Sequence, residues 1–210
     1  MTDPLSLSIS VLALAVSAVT AWLTLFHLGR VEMTKPTVLF FGFDRPRSSR
    51  EKPLPKIYLR ALLFSTSKKG RIIENMYVSL SRNETHQNFS IWVYGNEKLV
   101  RGSGLFVGEN GISANHHFLT PNDESSFKFH AGTYKVEVIA HLLGDKNKKV
   151  LFSHLFEISS EQAKLIESSD AGIYFDWGPG ADSYISFVDE RPSTSNIDSL
   201  LEDILIPKKK

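Results

Sequence analysis

Histidine is the side chain in this sequence best suited to hold a metal or pass a proton near neutral pH, and seven are present beside no cysteine. The missing thiols remove disulfide scaffolds, thiolate metal sites and cysteine nucleophiles from the possible chemistry. His116 and His117 are adjacent, and neighbours on an extended chain point to opposite faces, so they are poorly placed to share one ion. His130, His141 and His154 fall on what read as neighbouring strands, but neither group has the spacing of an HExxH helix. Histidines scattered over strand surfaces are the simpler expectation, and no metal or other cofactor is expected. A tethered enzyme, hydrolytic or metal-dependent, is the alternative, and His116, His117 and Asp123 in one cleft would favour it.

Other chemistry lacks its signature. Gly102, Gly104 and Gly108 are wrongly spaced for a dinucleotide loop, and no Lys-Ser or Lys-Thr follows them as in a phosphate loop. They read as a hairpin bend or bulge. No Gly-x-Ser-x-Gly elbow is present. Residues 173–180, Ile-Tyr-Phe-Asp-Trp-Gly-Pro-Gly, place two large rings and a carboxylate before a turn. A binding lip is one reading; a last strand burying Tyr174 or Phe175, with Asp176 opening the turn, is the simpler one. Asn83-Glu-Thr85 and Asn88-Phe-Ser90 fit the glycosylation pattern, which matters only in a lumenal compartment. The formal net charge of +1 and pI near 7.9 provide no basic excess for binding phosphates, so nucleic acid is not an expected partner.

Three segments must position whatever chemistry remains: an anchor over residues 1–29, a body over 36–190, and a linker with an amphipathic tail over 191–210. Residues 5–28 carry no formal charge, and as a helix these 24 residues span about 36 Å, enough to cross a bilayer with some tilt. Ala13, Ala15, Ala18 and Ala21 are small enough for a signal-peptidase site. The leading Met-Thr-Asp-Pro has no Lys or Arg and the apolar run is long for a signal peptide, so a retained single-pass anchor is expected. Arg30, Lys35, Arg45 and Arg47 follow the helix and no basic side chain precedes it. The positive-inside rule then puts the N-terminus outside and the body in the cytoplasm, under an inner, cytoplasmic membrane.

The body reads as mostly β. Strand-length runs rich in β-branched and aromatic residues occupy 37–43, 56–66, 71–81, 88–94, 103–107, 113–119, 126–130, 133–143 and 149–158. Met76, Val78 and Leu80 alternate with polar neighbours, as do Tyr134, Val136, Val138 and Ala140, the pattern of antiparallel sheets with one wet face. Only 159–168 looks helical, with Ser160 as a candidate cap. The expectation is an antiparallel β-sandwich.

Residues 131–138, Ala-Gly-Thr-Tyr-Lys-Val-Glu-Val, resemble the penultimate strand of immunoglobulin-like and fibronectin-like sandwiches. That resemblance implies a tyrosine corner at Tyr134 and suggests Trp92 as a core tryptophan; the cysteine pair of antibody-type domains is missing. The anchor, Lys35-Pro-Thr-Val-Leu-Phe-Phe-Gly-Phe-Asp44 and Asn88-Phe-Ser-Ile-Trp-Val-Tyr-Gly95 together resemble a group of uncharacterised bacterial single-helix membrane proteins, which implies an Ig-like body and carries no known activity.

Two surfaces suggest association. In the anchor, Ser6, Ser10, Ala13, Ser17, Thr20 and Thr24 recur in alternating steps of four and three, a stripe along which a second copy or another membrane protein could pack. In the tail, Ile197, Leu200, Leu201, Ile204 and Leu205 fall on one helical face before Pro207 and three lysines, a candidate docking helix. The expected function is a membrane-tethered binding, adaptor or assembly module in contact with the bilayer. An envelope protein with its sandwich outside the cytoplasm is the third reading.

Overall fold

The computed structural model describes residues 3–44, 53–94, 99–102, 104–121, 127–167 and 171–190. Helix α1 (Pro4–Ala21) starts where the Asp3 carboxylate accepts a bond from the Leu5 N–H, with Pro4 at a position whose missing N–H costs nothing. It passes into a π-helical turn (Trp22–Phe26), and none of its residues is buried. Over Pro4–Phe26, 23 residues, it is the one helix among those described that is long and apolar enough to cross a membrane.

The strands follow as β1 (Val31–Met33), β2 (Val38–Phe43), β3 (Pro55–Ser65), β4 (Arg71–Arg82), β5 (Thr85–Tyr94) and β6 (Leu99–Arg101). Then come β7 (Leu105–Val107), β8 (Ile112–Leu119), β9 (Gly132–Leu142), β10 (Lys149–Ile158), β11 (Ala171–Gly178) and β12 (Ser183–Glu190), with helix α2 (Ser160–Ile166) between β10 and β11. All pair antiparallel in one sheet of order β10-β9-β4-β5-β8-β3-β2-β11-β12, with β1 added to β3, β6 to β5 and β7 to β4.

The sheet curls so that its two ends face each other across the core. Phe156 on β10, at one end of the order, lies 5.8 Å from Phe41 of β2, 4.8 Å from Phe175 of β11 and 5.0 Å from Tyr184 of β12, ring centre to ring centre. The expected sandwich is thus built from a single mostly β sheet folded onto itself. Its interior is set by period-2 burial: Met76, Val78 and Leu80 of β4 and Tyr134, Val136, Val138 and Ala140 of β9 are all buried.

Several local expectations are corrected. Residues 127–130 form no strand, although Phe127 and Phe129 still plug the core against Phe89. Helix α2 is capped by Ser159, because Gln162 three residues on returns a bond to the Ser159 N–H and completes a capping box that Ser160 cannot make. Trp92 is half-buried on the opposite face from Phe89 and Ile91, so it is not the core tryptophan. Asp176 sits inside β11 opposite Ile185, and β12 follows as a further strand.

Candidate functional site

Between the last helical residue, Phe26, and β1 lie only residues 27–30, and they are fastened to the β3–β4 turn. Ser67 Oγ donates to the His27 carbonyl at 2.8 Å, Arg30 N–H donates to Thr66 Oγ1 at 2.8 Å, and Thr66 N–H returns a bond to the Arg30 carbonyl at 2.9 Å. Gly29 allows the approach: its φ is +64°, and a Cβ there would fall 2.5 Å from Ser67 Cβ. Lys149 Nζ donates to the Val31 carbonyl from β10. The helix exit is therefore hydrogen-bonded directly to the body at the β3–β4 turn.

The outer face of the sheet carries a row of rings brought together by register. His117, Tyr58, Phe40, Tyr174 and Phe187 lie directly opposite one another across β8, β3, β2, β11 and β12, with successive ring centres 5.5, 5.1, 5.0 and 5.3 Å apart. Phe40 lies flat over Gly42 and Gly172, where any Cβ would strike its ring. At the near end Lys56 Nζ donates to Asp44 Oδ1 at 2.7 Å, both largely covered. At the far end Phe187 and Ile185 remain 45% and 56% exposed on the last strand of the order.

No protein-family model and no curated protein matches this chain.

The histidines part company. His116 points into the core, where its Nε2–H donates to the Ala61 carbonyl at 3.3 Å and burial lowers its pKa. His117, on the outer face, is held down to about 4 by burial and then by the Lys56 ammonium, against the opposing pull of Asp44. His130 precedes β9, where the Tyr134 hydroxyl donates to its carbonyl at 2.8 Å and accepts from its N–H at 2.9 Å. His141 lies at the other end of that strand, bonded to Glu74 and the Asp145 carbonyl, and His154 packs against Phe156 and Tyr184. Among the described residues no three His, Asp or Glu side chains gather as a metal site. Asp123 lies outside them, so its place relative to His116 and His117 is not described.

Residues 173–180 divide by face: Phe175 is buried, Tyr174 joins the outer row, and Trp177 lies under Lys35 Nζ at 3.5 Å. Small cavities also occur among the described residues. One of about 160 Å³ lies between α2 and the loop before β9, with the Lys128–Glu167 pair beside it; another, about 220 Å³ and apolar, lies under Ile73, Met76, Ile91 and Leu105. In α1 the stripe residues Ser10, Ser17, Thr20 and Thr24 each donate to a carbonyl four residues back at 2.8 Å, and Ser6 donates to the Asp3 carbonyl. Tail residues Ile197, Leu200, Leu201, Ile204 and Leu205 lie outside the described residues.

Proposed function

We propose that the chain is a single-pass membrane protein whose α1 holds a non-enzymatic binding or assembly module at the cytoplasmic face, with the outer aromatic row as its recognition surface for a protein partner. The observation that carries this reading is the exposed end of that row. Phe187 and Ile185 leave a large apolar area open to water beside stacked, pre-positioned rings, and such rings lose little side-chain freedom on binding. The short, hydrogen-bonded junction supports a tether that keeps the body close to the bilayer. The Tyr134 hydroxyl bonds support placing the body among Ig-like sandwiches, of the kind suggested by the resemblance to bacterial single-helix proteins; the single curled sheet is its departure from them. The tail residues Ile197, Leu200, Leu201, Ile204 and Leu205 are proposed as a secondary docking helix, and the α1 stripe as a contact within the membrane.

The test recovers partners of the detergent-solubilised full chain by mass spectrometry, beside Ile185→Asp with Phe187→Asp and beside a chain lacking residues 191–210. The double variant should lose the recovered partner by at least about tenfold, the effect of removing one strong interface anchor. Val150→Asp, at an exposed apolar position on β10, should keep it. Equal recovery from both variants overturns the aromatic face.

A further inference from the structure

We propose that the end of the body beside the helix exit is a headgroup-binding surface that docks onto anionic lipid of the same membrane; this rests on the reading of α1 as a membrane span. Antiparallel pairing brings the β3–β4, β7–β8 and β9–β10 turns to the end where residues 27–30 leave the helix. These segments, 27–30, 66–71, 108–111 and 143–149, hold seven Lys and Arg against two acids, Glu109 and Asp145, in a chain whose net charge is +1. The helix end therefore carries a local excess of five positive charges, seven cations less two acids.

Local bonding decides which of these charges remain available. Arg71 is paired with Asp145 at 2.7 Å, and Lys149 is committed to the Val31 carbonyl. Arg30, Lys68, Lys69 and Lys146 are exposed, and Lys148, also exposed, donates to the Tyr77 hydroxyl at 3.3 Å; within these segments Glu109 is the acid left to oppose them. Lys69 Nζ reaches back to 3.4 Å from the Leu25 carbonyl, level with the last turn of the helix, the depth at which headgroup phosphates begin. Beside the cations, Ile72, Phe106 and Leu143 are 40%, 58% and 55% exposed. They are contiguous, since Ile72 is opposite Phe106 and accepts from the Leu143 N–H. Cations flanking a small apolar cluster match an interface of phosphates over acyl chains.

Reach favours this lipid source over any other. Four connecting residues span at most about 14 Å, so the turns are held near one Debye length of the leaflet, about 8 to 10 Å, where attraction to anionic lipid is still felt. Each available cation raises the docked population by about fivefold at such a surface.

The absence of cysteine permits single-site labelling of the full chain in vesicles. Fluorophores are placed through Asn147→Cys on the β9–β10 turn, Glu84→Cys on the β4–β5 turn at the opposite end, and Thr20→Cys in α1. The vesicles are phosphatidylcholine alone or rich in phosphatidylglycerol, each doped with nitroxide lipid. The position-147 label should be quenched far more than the position-84 label in phosphatidylglycerol. Its docked-to-undocked ratio should fall at least about tenfold in phosphatidylcholine, and equally when Lys68, Lys69, Lys146 and Lys148 are all changed to Glu. If position 20 is quenched by acyl-chain nitroxide while position 147 responds like position 84, or responds identically in both lipids, the headgroup surface is overturned and the span stands. If position 20 escapes quenching, both readings fall.

Discussion

His116 and His117 show how one residue type takes two roles when the backbone turns alternate side chains to opposite faces. Both imidazoles are held neutral in the folded chain, mainly by burial, and His117 additionally by Lys56. Their folded pKa values lie below the ordinary value of 6.5, so between that value and about 4 the unfolded chain binds more protons than the folded one. Stability is full above the unfolded pKa and is lost as pH falls through this window. Urea midpoints should drop between pH 7 and pH 4.5, by on the order of 1 to 3 kcal/mol in stability, and His117→Gln should flatten that slope. An unchanged slope in the variant would assign the acid sensitivity elsewhere. The opposite facing of the pair was legible from adjacency alone. Which one entered the core was not, because residues 116–119 are buried on both faces and the period-2 signal disappears there. The aromatic row was equally hidden: its five rings come from five strands, and only the cross-strand register aligns them.

At the scale of elements, β4 and β9 were readable because one face is oily and the other wet, and both run at nearly the expected bounds. Strand β12 was not, since Tyr184 and Val188 pack inward while Ile185 and Phe187 stay exposed outward, leaving no alternation to read. The Phe127, Phe129 spacing was true to burial but misleading about pairing; the His130 N–H and carbonyl there are taken by Tyr134. Helix α1 was legible in length, and the hydrogen bonds within it limit what its stripe can offer a partner. Each stripe hydroxyl already donates within its own helix, so only its acceptor lone pairs remain for a neighbour. Association through the stripe must then come mostly from close backbone packing over small side chains, with about 0.6 kcal/mol from any bond across helices. In a membrane two-hybrid assay, Ser10→Leu with Ser17→Leu should abolish the signal by blocking close approach, whereas Leu12→Ile with Val19→Leu, off the stripe, should keep it. Equal signals would make α1 a plain anchor.

For the whole molecule, orientation and docking draw on sets of charges that share only Arg30, and this separates them experimentally. Insertion is decided during synthesis, when the relevant side chains are those close to the helix in sequence: Arg30, Lys35, Arg45 and Arg47 after it, with Asp3 and no Lys or Arg among residues 1–4. Lys68, Lys69, Lys146 and Lys148 reach the helix exit only once the sheet has closed, too late and too distant in sequence to steer insertion. A fluorescent protein fused after Lys210 should glow and alkaline phosphatase fused there should stay inactive, placing the body in the cytoplasm. Arg30→Glu with Lys35→Glu should raise the phosphatase signal severalfold, because it removes the two cations closest to the helix in sequence. Changing Lys68, Lys69, Lys146 and Lys148 to Glu should leave both reporters unchanged while still releasing the body from anionic vesicles. An active phosphatase on the unmodified chain would reverse the orientation and place the aromatic face outside the cytoplasm. A change in both reporters from the four-lysine variant would mean that the folded rim helps set topology and that the two roles are not separate.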